Sequence, residues 1–504
     1  MTGSRTGRLF SALEAGAARP AIVSEGKTWT FGDLDRLSAR YARGLARAGV
    51  RRGDRVAVLA ETSPQAVIAL LGHYRAGAVH VPINTRYRGE EISHILGDSG
   101  ADAVLLSGGR DAPDPRPRLR IRIGGAGATG GDGELSFESL LGETPGADPA
   151  PPADEDTAIL LYTSGTTGKS KGVELSFRAL VDNTEAVTRL WRFSSEDRMA
   201  LALPLYHVHG LGLGIHGGLL NRMTIQLFER FDAARIVEAF ARGGATLFQG
   251  VPTMYVKLLE LAAADASAAE ALSRARLFTS GSAALPADDF RRFEELTGHR
   301  ILERYGMSET LFTLSNPYED RRPGTVGLPV PGCEVRIVDD AGKDSPPGEP
   351  GEILVRSNGM MSRYRGRPEE TAASFRGNWF ATGDVASRDA EGYVTIAGRK
   401  SVDFIKSGGF KISAREIEDV LRRHPKIRDV AVLGAPDRVW GERIVAAVVL
   451  KAEAGRPASS EDFLEELSSF CAKSLADYKR PREVRILEEL PRNTLGKVQK
   501  HRIG

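Results

Sequence analysis

Two cysteines in 504 residues, Cys333 and Cys471, stand far apart and neither belongs to a C-x-x-C pair. That scarcity argues against a disulfide framework and against a thiolate metal site, and it suits a reducing compartment. Long hydrophobic runs are missing too. No segment approaches the roughly 20 apolar residues that span a bilayer, and the opening MTGSRTGRLFSALEAGAARP has no unbroken apolar core of the signal-peptide kind. The expectation is a cytoplasmic protein without membrane insertion. A surplus of charge is also absent: 68 basic residues face 66 acidic ones, so no global field draws the chain to nucleic acid or to an anionic surface.

What is present is the composition of a globular protein, 41% hydrophobic and 27% charged, in a chain long enough for a large domain and a smaller one. From residue 54, short apolar runs alternate with helical patterns: DRVAVLA, a periodic stretch from Pro64 to Arg75, then GAVHVPI. The rhythm returns at TAILLY, MALALPL, MTIQLFE, ATLFQGVP and ARLFTSGSA, which predicts an α/β fold of sheets packed with helices. Between Ser107 and Asp156 the sequence turns to Gly, Pro, Asp and Arg and reads as a surface excursion. Gly125, Gly127 and Gly130 there satisfy G-x-G-x-x-G, but GDGELSF follows where a dinucleotide site needs a helix, so a loop is expected. Past residue 340 come turns and short strands. After Lys400 follow a helix pattern from Ala414 to Arg423, strands VAVLG and IVAAVVL, a helix from Ser459 to Ala476 and strand EVRILEE, a compact α+β unit.

Residues 163–172, TSGTTGKSKG, follow the apolar run AILLY. They resemble a P-loop tail, but Thr163 stands where that motif opens with glycine. Gly165, Gly168 and Gly172 let backbone N–H groups turn toward an anion, while hydroxyls and Lys169 or Lys171 add donors and charge. That chemistry suits oligophosphate, with an ordinary polar loop as the alternative.

Four further motifs accompany it in order: Tyr305-Gly306-Met307-Ser308-Glu309, Thr382-Gly383-Asp384, Gly398-Arg399, and Pro491-Arg492-Asn493-Thr494-Leu495-Gly496-Lys497. With the phosphate loop they make the chain resemble, over nearly its whole length, the adenylate-forming family of acyl-CoA synthetases, luciferases and adenylation domains. The resemblance implies a large N-terminal domain over 1–398, a hinge at 399–403 and a mobile C-terminal domain over 404–504. It also implies an ATP-dependent acid:CoA ligase that forms acyl-AMP, releases pyrophosphate and then passes the acyl group to CoA. Lys497 would neutralise charge developing at the α-phosphate, and Glu309 would position Mg²⁺. Thr163, Ser164, Gly165, Thr166, Thr167, Gly168, Lys169, Ser170 and Lys171 would hold the departing phosphates. Asp384, assisted by Arg399, would take the ribose hydroxyls. Tyr305 would lie against adenine opposite Gly281, Ser282 and Ala283, with Arg304, Gly306, Met307 and Ser308 also lining the nucleotide. Lys406, Ser407, Gly408 and Gly409 would line the thiol's tunnel after the small domain rotates about Lys400 to Asp403, although GRKSVDFIK carries one residue more than the commonest spacing.

LYHVHGLG, GVPTMYVKLL, RLFTSGSAALP and ERYGMSET resemble the malonyl-CoA synthetase branch, which acts on malonate and sometimes methylmalonate. A dicarboxylate needs a cation for the carboxylate that does not react. Lys257 occupies the branch's cation position and Arg276 is a second candidate; His207, Ser282 and Met307 complete the expected acid pocket. His207 also joins Lys497 and Glu309 among the catalytic candidates. With His209 it has the i, i+2 spacing of metal ligands, but no carboxylate or thiol cluster accompanies the pair. Three alternatives stand beside this reading: a neutral short- or medium-chain acid, a carrier-protein phosphopantetheine thiol instead of free CoA, and an inactive homologue serving as an interaction protein.

Overall fold

The apolar runs of the first 300 residues become mostly parallel strands covered by helices. The computed structural model describes residues 4–503 apart from 112, 125–133, 143–147, 165–168, 283–284, 286, 340, 400–403, 456, 492–497 and 499. One eight-stranded sheet has the order Arg363–Tyr364, Ser170–Ser176, Thr157–Ser164, Val79–Pro82, Arg55–Leu59, Ala103–Leu106, Leu119–Arg122, Glu134–Ser136. A nine-stranded sheet has the order Leu328–Pro329, Leu311–Ser315, Leu302–Met307, Leu277–Ser280, Leu247–Gly250, Arg198–Leu201, Thr224–Leu227, Pro20–Ser24, Lys27–Thr30. Their central strands, such as LFQG and LFTS, are buried on both faces, as parallel strands between helical layers must be. Helix Pro64–Ala76 shows how local signals place a layer: Ser63 caps it by accepting from Ala66 N–H, proline opens it, and Gly77 ends it at φ 66°.

Two five-stranded sheets follow. The first is antiparallel, Cys333–Val338, Gly351–Ser357, Trp379–Arg388 and Phe375–Arg376, with Val394–Arg399 beside Trp379–Arg388. The last draws every strand from residue 404 onward: Phe410–Ser413, Phe404–Ser407, Gly441–Leu450 and Ile427–Asp437, plus Glu483–Ile486 parallel to Gly441–Leu450. Helix Ala414–Leu421 and helix Ser460–Cys471 pack on it around Ile417, Leu421, Phe463 and Leu467.

Within the stretch expected to be a surface excursion, two short strands, Leu119–Arg122 and Glu134–Ser136, extend the eight-stranded sheet. In Leu119–Arg122 the alternation turns Leu119 and Ile121 inward, while Arg122 pairs with Glu134 on the neighbouring strand. Gly125, Gly127 and Gly130 lie outside the described residues. Among the described residues no helix is long and apolar enough to cross a membrane.

Candidate active site

The parallel strands of the nine-stranded sheet end on one side, at Gly250, Ser280 and the turn after Met307, and Gly281, Ser282, Ser308 and Glu309 follow directly on those ends. That is where an open α/β sheet offers a crevice for ligands.

The phosphate-loop hairpin approaches from the other large sheet. Its register sets Thr163 opposite Lys171 and Ser164 opposite Ser170. Gly165, Thr166, Thr167 and Gly168, and the Ser164 side chain, lie outside the described residues. Lys169 is exposed. Lys171 is ion-paired with Glu370 and lies 5.2 Å from the centre of the Tyr364 ring. The Tyr364 hydroxyl donates to Glu309 Oε1 at 3.0 Å. One tyrosine thus ties the lysine of the phosphate loop to the glutamate of a distant motif. Glu309 is buried in the tight turn between Leu302–Met307 and Leu311–Ser315, where Leu311 takes φ 53°. Mg²⁺ keeps several waters and takes one or two carboxylates beside phosphate oxygens, and a carboxylate held next to the phosphate hairpin fits that demand. Among the described residues no group of three or more His, Cys, Asp or Glu side chains could hold a metal alone.

The wall expected to face the nucleotide is internally hydrogen-bonded. Tyr305 donates its hydroxyl to Asp384 Oδ2 at 2.7 Å. Asp384 is buried, its N–H donates to Thr382 Oγ1, and that hydroxyl donates to Ile353 C=O at 2.8 Å. Asp384 also faces Arg399 across paired strands, which brings the two ribose candidates together in backbone position; the Arg399 side chain is outside the description. Gly306 is required sterically, since a Cβ there would lie 2.0 Å from Leu311 O.

The neighbouring wall, around Arg304, is different. Arg304 is 5% exposed, and its Nε and Nη2 have no hydrogen-bond partner. Its guanidinium rests 4.9 Å from the Phe312 ring centre. A Cβ on Gly281 would lie 2.5 Å from Arg304 Cζ, so only glycine leaves room for the cation. Burial pushes Arg304 down to about 9, which still leaves it charged at neutral pH. Ser282, at φ 70°, sets its Oγ 3.5 Å from His209 Nδ1. His209 is buried and held well below the usual imidazole range by burial and then by the charge of Arg304; its Nε2 has no partner. His207, by contrast, is exposed to solvent at the mouth of the cleft. Burial therefore keeps His209 neutral near pH 7. Both histidines lie where the chain enters a π-helical turn, His209–His216, whose Gly210 passes too close to Pro204 O for any Cβ. Met307 and Ser308 are partly buried at the same strand end.

The glycine-bearing loop of the last sheet reaches this cleft. Gly408 and Gly409 take φ 60° and 80° in the hairpin that joins Phe404–Ser407 to Phe410–Ser413. A Cβ on Gly409 would touch Val251 at 3.4 Å, and the Phe410 ring lies 5.6 Å from His207. Lys406 donates its N–H to Glu442 Oε2 at 2.6 Å, and Ser407 is buried.

Two expectations for the acid pocket are overturned. Lys257 turns to solvent and pairs with Glu260 at 2.9 Å. Two positions earlier on helix Pro252–Ala264, Tyr255 is buried and donates to Thr279 C=O; a step of two residues turns about 200° around a helix, so position 257 faces outward. Arg276 grips Asp197 with two hydrogen bonds of 2.7 and 2.8 Å and donates to Trp191 C=O. It precedes the first residue of Leu277–Ser280, at the opposite end from Ser282. Lys497, Ala283 and the hinge residues Lys400 to Asp403 lie outside the described residues. Tyr364 and Glu370, in RYRGRPEE, had no chemical signal in sequence; only the pairing of Arg363–Tyr364 with Ser170–Ser176 brings them to the site.

Residues 10–365 match the family described as AMP-binding enzyme, and residues 416–497 match the AMP-binding enzyme C-terminal domain. A malonate–CoA ligase of Arabidopsis thaliana is 33% identical over 97% of this chain and 86% of its own length. A feruloyl-CoA synthase of an Amycolatopsis species is 35% identical over 95% of this chain and 94% of its own. A malonyl-CoA ligase solved as a ternary product complex with methylmalonyl-CoA and AMP is 39% identical with a TM-score of 0.83, over 96% of this chain and all (100%) of that one.

Proposed function

The chain belongs to the AMP-binding enzyme family and is an AMP-forming CoA ligase; we propose that its acid is a short dicarboxylate, malonate or methylmalonate. One observation carries the choice of acid: Arg304 is buried beside His209, Gly281 and Ser282, and among the described residues no carboxylate neutralises it. A guanidinium taken out of water without a partner costs several kcal/mol. The distal carboxylate of malonate offers the matching two-oxygen fork and repays that cost, with the Ser282 hydroxyl as a further donor. A neutral acid leaves the cation unpaired.

In the first step a carboxylate oxygen of the acid attacks the α-phosphorus of ATP and pyrophosphate leaves. Lys497 neutralises charge at the α-phosphate, and Lys171 with the hydroxyls around it holds the departing phosphates. Glu309 is the residue that would hold Mg²⁺, which would supply positive charge against the phosphate oxygens. Asp384 and Tyr305 orient the nucleotide. In the second step the thiol of CoA attacks the acyl carbon and AMP leaves. The Gly408–Gly409 turn leaves room for a narrow thiol arm beside His207.

The test is pyrophosphate release across malonate, methylmalonate, succinate, acetate, octanoate and ferulate, with and without CoA. Malonate or methylmalonate is expected to lead. A lead for octanoate or ferulate overturns the dicarboxylate reading and leaves the ligase reading intact.

A further inference from the structure

The short turn Asp477–Lys479 has no part in the chemistry above, yet each of its residues meets the segment 84–91 of the large N-terminal region. Arg88 Nη2 lies 3.5 Å from Asp477 Oδ1, Asn84 Nδ2 donates to the Tyr478 hydroxyl at 2.8 Å, and Lys479 Nζ reaches Glu91 Oε1 at 2.6 Å. Lys479 is 4% exposed, the unusual fate for a lysine. Its ammonium also donates to Glu416 Oε1 at 2.8 Å and lies 4.5 Å from the Tyr87 ring centre. Burial works against that charge, but Tyr87, Glu416 and Glu91 outweigh it and hold the lysine well above its usual range.

Glu91 and Tyr87 come from one region, Lys479 and Glu416 from the other, so the triad exists only while the two are docked. A buried ion pair adds little net stability over an apolar contact, but losing one partner is costly. It therefore specifies one arrangement more than it strengthens the fold. The arrangement specified is the one in which Tyr478 stacks on Phe410, with ring centres 3.8 Å apart and planes at 18°, while Phe410 faces His207 and Gly409 meets Val251.

We propose that Lys479, Glu91 and Glu416 form a positioning lock that seats the Gly408–Phe410 turn against the active site for the thiol step. The proposal rests on the two-step ligase reading and is independent of which acid is used. The test measures the half-reactions separately in the full chain: single-turnover pyrophosphate release without CoA, and thioester formation from supplied acyl-adenylate and CoA. Lys479→Met is expected to slow thioester formation at least thirtyfold while pyrophosphate release stays within about threefold. Glu91→Gln shows the same split in milder form, Lys479→Arg restores part of the rate, and the double variant Glu91→Gln/Lys479→Met is no slower than Lys479→Met alone. If Lys479→Met does not fold, Glu91→Gln decides. Equal loss in both half-reactions, or unchanged thioester formation in a folded variant, overturns the lock. A wild type that performs neither half-reaction overturns the ligase reading itself.

Discussion

Arg304 and Tyr305 are neighbours in one strand and meet opposite electrostatic fates. Tyr305 turns to the wall proposed for the nucleotide, where its hydroxyl is already bound to Asp384. Arg304 turns to the wall proposed for the acid, where its charge is buried without a counter-ion among the described residues. Glu303, on the same face as Tyr305, is a buried carboxylate that accepts only two long hydrogen bonds of 3.3 Å, from Leu285 and Gly324 N–H. A wall that satisfies its own polar groups is organised before ligand arrives. A wall that leaves a cation unsatisfied is completed by the ligand, and the sign of the unpaired charge tells which ligand.

The sharpest way to break this contrast is Arg304→Met. It is expected to lower kcat/KM for malonate by about 3 kcal/mol, more than a hundredfold, and to change that for a neutral acid by less than about 1 kcal/mol. Because the same change removes a buried unpaired charge, the melting temperature of the ligand-free protein should rise. A fall in melting temperature with unchanged malonate kinetics would make Arg304 structural.

Glu303 gives a smaller effect with a defined sign. Burial raises its carboxyl to about 7, so the folded chain favours the protonated form. Its contribution to stability is complete below the ordinary carboxylate range and is lost as pH rises through about 7. Denaturant unfolding of Glu303→Gln against wild type should therefore show little difference near pH 5 and an advantage of about 2 kcal/mol for the variant near pH 8. A difference independent of pH would show that Glu303 does not titrate in this window.

The smallest effect expected is that of Tyr305→Phe, which removes one hydrogen bond from a wall that keeps others. It should raise the KM for ATP severalfold, about 1 kcal/mol, with the KM for the acid unmoved. A larger shift for the acid than for ATP would erase the distinction between the two walls.

Much of this site is legible in the sequence because its chemistry is carried by contiguous motifs. Tyr305, Glu309, Asp384 and Lys171 sit in short runs rich in glycine and hydroxyls, and the fold ties Tyr305 to Asp384 and, through Tyr364, Lys171 to Glu309. The strands announced by TAILLY and ATLFQGVP form because a buried parallel strand reads as an unbroken apolar run. Lys257 and Arg276 misled because a cation in sequence does not declare which way it points. Helix phase turned the first to water, and the second was taken by Asp197. The strand Leu119–Arg122 lies in a Gly- and Pro-rich stretch, and what makes it part of the sheet is its pairing with Ala103–Leu106 on one side and Glu134–Ser136 on the other.

The sequence by itself determined the ligase class and the order of the α/β units, because contiguous motifs carry the first and unbroken apolar runs carry the second. Tertiary structure alone decided which cation stays unpaired, which tyrosine joins Lys171 to Glu309, and that Lys479 is buried between Glu91 and Glu416. Those facts are about what surrounds a charge. Desolvation is set by atoms brought together from distant parts of the chain, and no window of sequence contains them.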